Sequence, residues 1–167
     1  SRGLGDVYKR QLYWISVIYL NFAEAKAEMG SLTQDDLNNS INKLQARAGL
    51  PAMTTTPDAD PANNMGVSNL IWEIRRCRRC ELIMDNWYRY WDLIRWHQLD
   101  KLDSTKYPNT MLGANVSNVP DCEEATKNGY IDASDAQIRT YEAKHYFYPI
   151  PTTQLTLNKN MKQNPGW

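Results

Sequence analysis

The chain has 167 residues, which predicts one domain or two small ones, and its 19 Lys and Arg balance its 19 Asp and Glu. A formal net charge of zero gives no electrostatic support for binding to nucleic acid or to an anionic membrane surface. Ten Tyr and six Trp stand against two Phe, and the flat apolar face and polar tip of Tyr and Trp suit interfaces and sugar-like ligands.

The N-terminal stretch imitates a signal peptide, but its periodicity favours an amphipathic helix. Residues 9–25 contain a basic pair, a mostly apolar run and an Ala-x-Ala, as a cleavable signal would. Helical spacing nevertheless continues through the supposed cleavage site, at Ile15, Ile18, Tyr19, Phe22, Lys26 and Met29. The pattern predicts a helix from about Leu12 to Met29 that ends at Gly30. The apolar run is too short to cross a bilayer.

The first eleven residues are expected not to belong to the natural protein. The string DVYKRQ at 6–11 looks like the translation of a sequencing-library adapter, and such segments are excluded from fold arguments. We therefore interpret 1–11 as a non-native segment. The natural chain is expected to begin upstream of residues 12–167.

A second helix is predicted over about Gln34–Ala48. Thr33 is a good N-cap with Asp36 three residues on, and Gly49 and Pro51 mark the end. The apolar stripe consists of Leu37, Ile41, Leu44 and Ala48. Because the connecting turn is short, the first two helices should lie antiparallel, like one helix-turn-helix repeat of the TPR type.

The next helical stretch is predicted over about Asn69–Leu99, as two helices or one bent helix, after an irregular loop at 52–66 and a cap at Ser68. Its apolar stripe is predicted to contain Cys80, Ile83, Met84, Trp87, Trp91 and Ile94. Acidic residues alternate with its arginines, which favours an ion-pair network over a phosphate-binding patch. These acidic residues are Glu73, Glu81, Asp85 and Asp92, and Asp85 is spaced to pair with Arg89.

The cysteines number three, Cys77, Cys80 and Cys122, and this odd count implies no disulfide framework. Cys77 and Cys80 have CxxC spacing, but no second cysteine pair or nearby histidine completes a zinc site. We predict no metal site and interpret the cysteines as small buried side chains.

The C-terminal third has little periodicity, and Pro108, Gly113, Pro120 and Gly129 mark turns. A small β-hairpin is predicted between Tyr130–Ile131 and Ile138–Tyr141. The segment YFYPIP at 146–151 must be extended, because each proline pushes its predecessor out of the α region. The final QNPGW is predicted to turn and to place Trp167 in an apolar pocket. Proline has already restricted this tail, so it should dock across the helices as a clamp at low entropic cost.

The tail carries a resemblance to a known family. The string YFYPIPTTQLTLNKNMKQNPGW resembles the C-terminal signature of the SusD/RagB family of nutrient-binding outer membrane lipoproteins. The matching positions are Tyr148, Pro149, Ile150, Pro151, Asn158, Gln163, Asn164, Pro165, Gly166 and Trp167. Three more strings resemble family motifs in the same order: YLNFAEAKAEMG, INKLQARAGLP and RRCELIMDNWYRYWDLIRW. The sequence departs from the family where Asp85-Asn86 replaces a usual Glu-Gly pair.

The resemblance implies that residues 12–167 are a partial C-terminal domain of such a protein. Its fold would be mainly α, with TPR-like helix hairpins, a further helical segment, a small β-hairpin and an extended Pro-rich tail. The parent protein would be anchored to the outer membrane surface by a lipid on a missing N-terminus. It would bind a glycan or peptide nutrient and deliver it to a SusC-like TonB-dependent transporter. Without its partner helices, the first helix should expose an apolar face around Ile15, Ile18 and Phe22.

Candidate ligand residues are aromatic or planar polar side chains, because sugar rings stack on aromatic faces and hydroxyls bond to polar groups. Trp87 and Trp91 are assigned to the core because they lie on the apolar stripe. The remaining candidates are Tyr88, Tyr90 and Trp96 on the helix, and Tyr107, Asn109, Asn115 and Asn118 in the irregular loop. The signature residues of the tail are interpreted as structural.

Two other functional classes stay open. A TPR-like module could bind a protein partner without a ligand site of its own. An enzyme is less favoured, because no Ser-His-Asp spacing, Gly-rich phosphate loop or metal cluster occurs in the sequence. We predict no catalytic residue and no cofactor.

Overall fold

A computed structural model describes residues 14–83, 88–119, 126–132 and 137–167 of the chain. The chain divides into two compact units, Ser1–Asn86 and Trp87–Trp167. Several predicted features lie outside the described residues: the segment 1–11, Met84, Asp85, Trp87, Pro120 and Cys122.

In the described part of the first unit the helices are α1 (Ile15–Glu28), α2 (Gln34–Asn38), α3 (Ile41–Arg47) and α4 (Asn69–Glu81). α1 packs against α3 and α4. Capping chemistry sets their ends as predicted. Thr33 and Asp36 form a reciprocal capping box, the Ser68 side chain accepts a hydrogen bond from the N–H of Ile71, and Gly30 and Gly49 follow α1 and α3 with positive φ.

The predicted second helix is divided in two at Ser40. Its φ of −130° and ψ of −97° lie outside the helical region. The Ser40 hydroxyl donates to the main-chain oxygen of Asp36 at 2.6 Å, a local bond through which serine competes with helix geometry. The division leaves Leu37, Ile41 and Leu44 buried as predicted, but Ala48 is exposed.

α1 carries apolar residues on two faces. Val17, Leu20 and Ala23 are buried in the core of the first unit, whereas the predicted stripe points outward. Ile15, Ile18 and Phe22 are exposed by 58%, 56% and 43%. The prediction of an exposed apolar face on this helix is therefore confirmed.

Ion pairs join α4 to its neighbours, as the alternating charges predicted. Arg75 bonds to the buried Glu24 of α1 at 3.0 Å and to Glu28 at 3.1 Å. Arg47 of α3 pairs with Glu81 at 2.6 Å. Within α4, Arg76 pairs with Glu73 one turn away. Arg75 of the basic run thus binds α4 to α1, and Glu81 binds α4 to α3.

The second unit begins with α5 (Tyr88–Arg95), so the long helical stretch consists of two helices. The buried residues in the described part of this unit are Asp92, Leu93, Trp96, Leu99 and Asp103. The predicted apolar stripe was wrong, because Cys80, Ile83 and Trp91 are exposed. α4 ends at Glu81 and α5 begins at Tyr88, so the helical phase of one does not carry over to the other. Cys80 is accordingly not a buried side chain, and Cys77 is half-buried.

A three-stranded antiparallel sheet follows, with β1 (Leu112–Asn115), β2 (Thr126–Lys127) and β3 (Tyr130–Asp132) in the order β1-β3-β2. Asn128 and Gly129, with φ of 54° and 82°, form the two-residue turn of the β2–β3 hairpin. A small hairpin with a strand at Tyr130 is thus confirmed, but Ile138–Tyr141 is not its partner. That segment is an irregular stretch, held where Ser104 N–H donates to the oxygen of Arg139 at 2.8 Å.

Candidate functional site

Two neighbouring aromatic side chains stand on α5. Tyr90 is half-buried and Trp91 is 54% exposed. Their ring centroids lie 5.6 Å apart with the planes at 68°, the edge-to-face arrangement that aromatic pairs favour. An indole face and a phenol are therefore presented side by side at the surface of the second unit.

Tyr148 of the tail joins this pair. Its hydroxyl lies 3.2 Å from that of Tyr90, and the residue is 66% exposed. The hydrogen bond to Tyr148, together with burial, raises the pKa of Tyr90, which favours the neutral phenol at this residue. We call Tyr90, Trp91 and Tyr148 the aromatic platform. It offers ring faces for stacking and hydroxyls that donate or accept hydrogen bonds.

Two side-chain amides hold the main chain next to Tyr148. Gln163 accepts from the N–H of Ile150 at 2.8 Å and donates to the oxygen of the same residue at 2.9 Å. Asn164 donates to the oxygen of Tyr148 at 2.7 Å. We call Gln163 and Asn164 the tail clamp. It joins the two ends of the C-terminal signature to each other.

Trp167, the last residue, bonds to the main chain just before Tyr148. Its indole N–H donates to the main-chain oxygen of Phe147 at 2.9 Å and to that of Lys144 at 3.2 Å. The side chain is 46% exposed, so the prediction that it fills an apolar pocket was wrong. A polar tip that bonds to two main-chain oxygens fixes this indole without burial.

The tail is extended at 147–151 as predicted, but the extension predicted for Tyr146 was wrong, because this residue ends a 3-10 helix, Ala143–Tyr146. Thr152–Leu157 forms a short helix, α6. Residues before this helix make long-range hydrogen bonds within the second unit. Tyr148 bonds to Tyr90 of α5, and the Tyr146 hydroxyl accepts from the N–H of Leu99 at 3.2 Å. Bracing of the paired helices of the first unit stays a prediction.

The other predicted ligand residues lie elsewhere. Trp96 is buried and carries the Arg95 guanidinium 4.9 Å from its ring centre, so its placement toward a groove was wrong. Tyr88 is half-buried, as is Tyr107, which has Lys101 Nζ 5.0 Å from its ring centre. Asn109, Asn115 and Asn118 are exposed, and Asn115 is the last residue of β1. Among the described residues, no hydrogen bond or ring contact joins Tyr107 or Asn109 to Tyr90.

Tyr90 is thus the one predicted candidate that belongs to the platform. Trp91 was assigned to the core, and Tyr148 to a purely structural motif. A correct helical phase for α5 would have identified Trp91, since Leu93 and Trp96 define its buried face. Tyr148 lies 58 residues from Tyr90 in sequence, and no local signal connects them.

A second concave surface lies in the first unit. A groove of about 540 Å³ separates the 50–58 loop from α3 and α4. Its lining consists of Gln45, Leu50, Pro51, Ala52, Met53, Thr54, Thr56, Pro57, Asp58, Glu73 and Arg76. It lacks an aromatic face, and its Arg76 is already paired with Glu73. The aromatic platform is therefore the better match to a sugar ring.

Two further properties concern metals and membranes. Within 14–83, 88–119, 126–132 and 137–167, no three or more His, Cys, Asp or Glu side chains are grouped so that they could hold a metal ion. None of the helices in these ranges combines the length and the apolar character needed to cross a bilayer.

Comparisons with known proteins give a consistent result. The sequence model of the SusD family matches residues 10–167. No curated protein matches significantly. A selenomethionine structure of BT4246 is 27% identical with a TM-score of 0.61, covering 93% of this chain and 24% of BT4246. The SusD-like protein BF3747 of Bacteroides fragilis NCTC 9343 is 25% identical with a TM-score of 0.57, covering 91% of this chain and 25% of BF3747.

A further structure of BT4246 has a TM-score of 0.60 and 25% identity, and this chain covers 23% of it. The chain therefore spans about a quarter of the length of these solved structures. SusD-like structures are TPR-like and helical, which confirms the predicted mainly α fold class and the predicted family resemblance.

Proposed function

Because the chain belongs to the SusD family, we propose that it is part of a cell-surface receptor that binds a neutral glycan through the aromatic platform. Proteins of this family bind glycans at the outer membrane surface and work with SusC-like transporters. The proposal transfers this activity to the present chain and assigns it to Tyr90, Trp91 and Tyr148.

The exposure of Trp91 and Tyr148 beside Tyr90 is the observation that carries the proposal. Sugar rings have apolar C–H faces that pack on aromatic rings, and their hydroxyls bond to polar tips such as phenols. Both elements are present within one patch. The formal net charge of zero provides no long-range attraction for a charged polysaccharide, which favours a neutral one.

Binding without hydrolysis is the proposed activity. Glycoside hydrolysis needs a pair of carboxyl groups that flank the scissile bond. The platform consists of two phenols and an indole, and it contains neither of the two carboxyl groups that this mechanism uses. A ligand held there would be retained and released unchanged.

A SusC-like TonB-dependent transporter is the proposed receiving partner, and a lipid anchor upstream of residue 12 is the proposed attachment to the outer membrane. Both rest on the family membership. In this arrangement the receptor concentrates the glycan at the mouth of the transporter, and the transporter moves it across the membrane.

A protein-interaction module is the second candidate function. The observation that favours it is the exposed apolar face of α1 at Ile15, Ile18 and Phe22, since contiguous exposed apolar surface commonly marks an interface. A chain of this kind would bind a protein without binding sugar.

Calorimetric titration with cellohexaose, maltohexaose, xylohexaose and mannohexaose tests the proposal. We expect the chain to bind at least one of these neutral hexasaccharides. Trp91→Ala should weaken that binding by roughly 2- to 12-fold, the range expected for loss of one aromatic contact. Trp14→Ala is the matched control, because Trp14 is an indole of comparable exposure in the first unit, 46% against 54% for Trp91.

The control should bind like the unmodified chain. Equal losses in the two tryptophan variants would contradict the assignment of the site. Absence of binding to all four sugars would favour the interaction module.

A further inference from the structure

The tail clamp bonds to the main chain of Tyr148, a residue of the aromatic platform, and of the nearby Ile150. Asn164 bonds to the main-chain oxygen of Tyr148, and Gln163 bonds to both main-chain groups of Ile150. We propose that Gln163 and Asn164 are positioning residues that hold the Tyr148 ring beside Tyr90, so that the C-terminal signature builds part of the ligand surface. The inference rests on the proposed function for its consequence in sugar binding.

Proline leaves this segment with a single main-chain donor. Pro149 and Pro151 have no N–H, so Ile150 carries the one N–H of residues 149–151. Gln163 accepts a hydrogen bond from this donor and in return donates to the oxygen of Ile150. A side-chain amide offers a donor and an acceptor in one plane, and it bonds to Ile150 here much as a neighbouring strand would.

The Tyr148 ring needs this support because it has little packing of its own. Its side chain is 66% exposed, and the preceding Phe147 is 56% exposed. A ring at the surface with few packed neighbours takes its position from the main chain that carries it. The bond of Asn164 to the oxygen of Tyr148, at 2.7 Å, therefore acts at the residue whose side chain meets Tyr90.

The first unit uses the same device for a different purpose. Asn42 donates to the main-chain oxygen of Met53 at 3.1 Å and accepts from its N–H at 2.7 Å. Met53 and Asn42 are both buried there, so that clamp secures a core residue. The clamp in the tail acts on an exposed segment, and what it secures is the placement of an exposed side chain.

The test measures the ring contact and sugar binding in the same variants of the full chain. We expect nuclear Overhauser contacts between the rings of Tyr90 and Tyr148, which Asn164→Ala and Gln163→Leu should abolish while leaving the amide spectrum of α1 and α4 unchanged. Asn158→Ala is the matched control, because Asn158 lies in the same tail and accepts from the N–H of Asn160 at 3.0 Å. It should retain the ring contact.

Binding of the four neutral hexasaccharides supplies the second readout. Each clamp variant should weaken binding as much as Tyr148→Ala does, by roughly 2- to 12-fold. Gln163→Glu keeps the acceptor for Ile150 N–H and loses the donor, and it should give an intermediate effect.

Three outcomes would overturn the inference: ring contacts that persist in both clamp variants, ring contacts that Asn158→Ala abolishes equally, or lost contacts with unchanged sugar affinity. If the unmodified chain binds none of the hexasaccharides, the proposed function fails. The ring contacts then still decide whether the clamp positions Tyr148.

Discussion

Cys77 and Cys80 lie one turn apart on α4 in different surroundings. Cys77 is half-buried and its Sγ accepts from the Gln45 amide at 2.9 Å, whereas Cys80 is exposed. Burial raises the pKa of the Cys77 thiol to about 12. Since the thiolate is the reactive form, iodoacetamide at neutral pH should alkylate Cys80 and spare Cys77, as peptide mass mapping would show.

Unfolding supplies the control for this difference. In guanidinium chloride both cysteines should react at similar rates, because the unfolded chain removes the burial that protects Cys77. Equal labelling of the two thiols in the folded chain would contradict the environment described for Cys77.

Asp103 links two segments of the second unit through its buried carboxylate. The hydroxyl and the N–H of Thr105 donate to it, and so does the N–H of Tyr141 at 3.2 Å. The bond from the Thr105 side chain, followed by these main-chain bonds, lowers the pKa of Asp103. A carboxyl group with a lower pKa in the folded state stabilises the fold above its unfolded pKa, and this contribution is lost as pH falls through the folded value.

We therefore expect the free energy of unfolding to decrease with acidification below about pH 5. Asp103→Asn should be less stable at neutral pH and should flatten this dependence, because no charge is then lost. Thr105→Val removes the first of the three donors and should flatten it in part. Thermal melts across acidic pH measure both effects, and an unchanged slope in Asp103→Asn would contradict the role of this carboxylate.

Single residues were predictable where their own chemistry decides their position. Thr33 and Ser68 cap helices because their hydroxyls accept from main-chain N–H groups. Trp91 was predicted to be buried and is exposed, whereas Trp96 was predicted to face a groove and is buried. An indole is suited equally to a core or a surface. Their positions depend on the phase of α5, which no property of the tryptophan itself reveals.

At the scale of elements, existence was easier to predict than extent or pairing. The apolar periodicity identified α1, and the caps identified the start of α2, the end of α3 and the start of α4. The prediction missed β2, the hairpin partner of β3, although Asn128-Gly129 is a strong local hairpin signal. It also missed β1, whose pairing with β3 joins more distant segments. The tail was correctly predicted to be extended at its prolines, but its closure depends on long-range bonds such as Gln163 to Ile150.

Substitution of Gly166 tests whether the end of the tail packs against Lys144 as described. Its φ is +86°, and a Cβ at this position would lie 2.9 Å from the Cβ of Lys144. Gly166→Ala should cost roughly 1–2 kcal/mol for left-handed backbone and about 1–3 kcal/mol for overpacking. Chemical denaturation of the second unit measures the sum.

Gly66→Ala separates these two costs. Gly66 also has a positive φ of +67°, but a Cβ added there would meet no other atom within 4 Å. This variant should lose only the backbone contribution of roughly 1–2 kcal/mol. Equal effects of the two substitutions would show that the contact between Gly166 and Lys144 does not form.

At the scale of the whole molecule, the sequence predicted the fold class and the family but not the site. Fold class follows from periodicity, and the family follows from four ordered motifs that fix local structure. The platform depends on a contact between Tyr90 and Tyr148 across 58 positions. Such contacts are decided by the packing of the complete second unit, and no window of sequence contains them.

α1 provides a test at this scale, because one of its apolar faces is buried and the other is exposed. Leu20 is fully buried, whereas Ile15 and Ile18 are more than half exposed. The triple variant with Ile15→Gln, Ile18→Gln and Phe22→Gln should bind less of a hydrophobic dye and self-associate less. Its free energy of unfolding should change by about 0.5 kcal/mol or less for each substitution, as at other surface positions.

Leu20→Gln is the matched comparison on the same helix. It places an amide in the core of the first unit and should cost more than about 3 kcal/mol, with dye binding that rises as the core opens. Opposite changes in dye binding from two sets of Gln substitutions would establish that one face of α1 is core and the other free surface. A triple variant as destabilised as Leu20→Gln would show instead that the outer face is also packed.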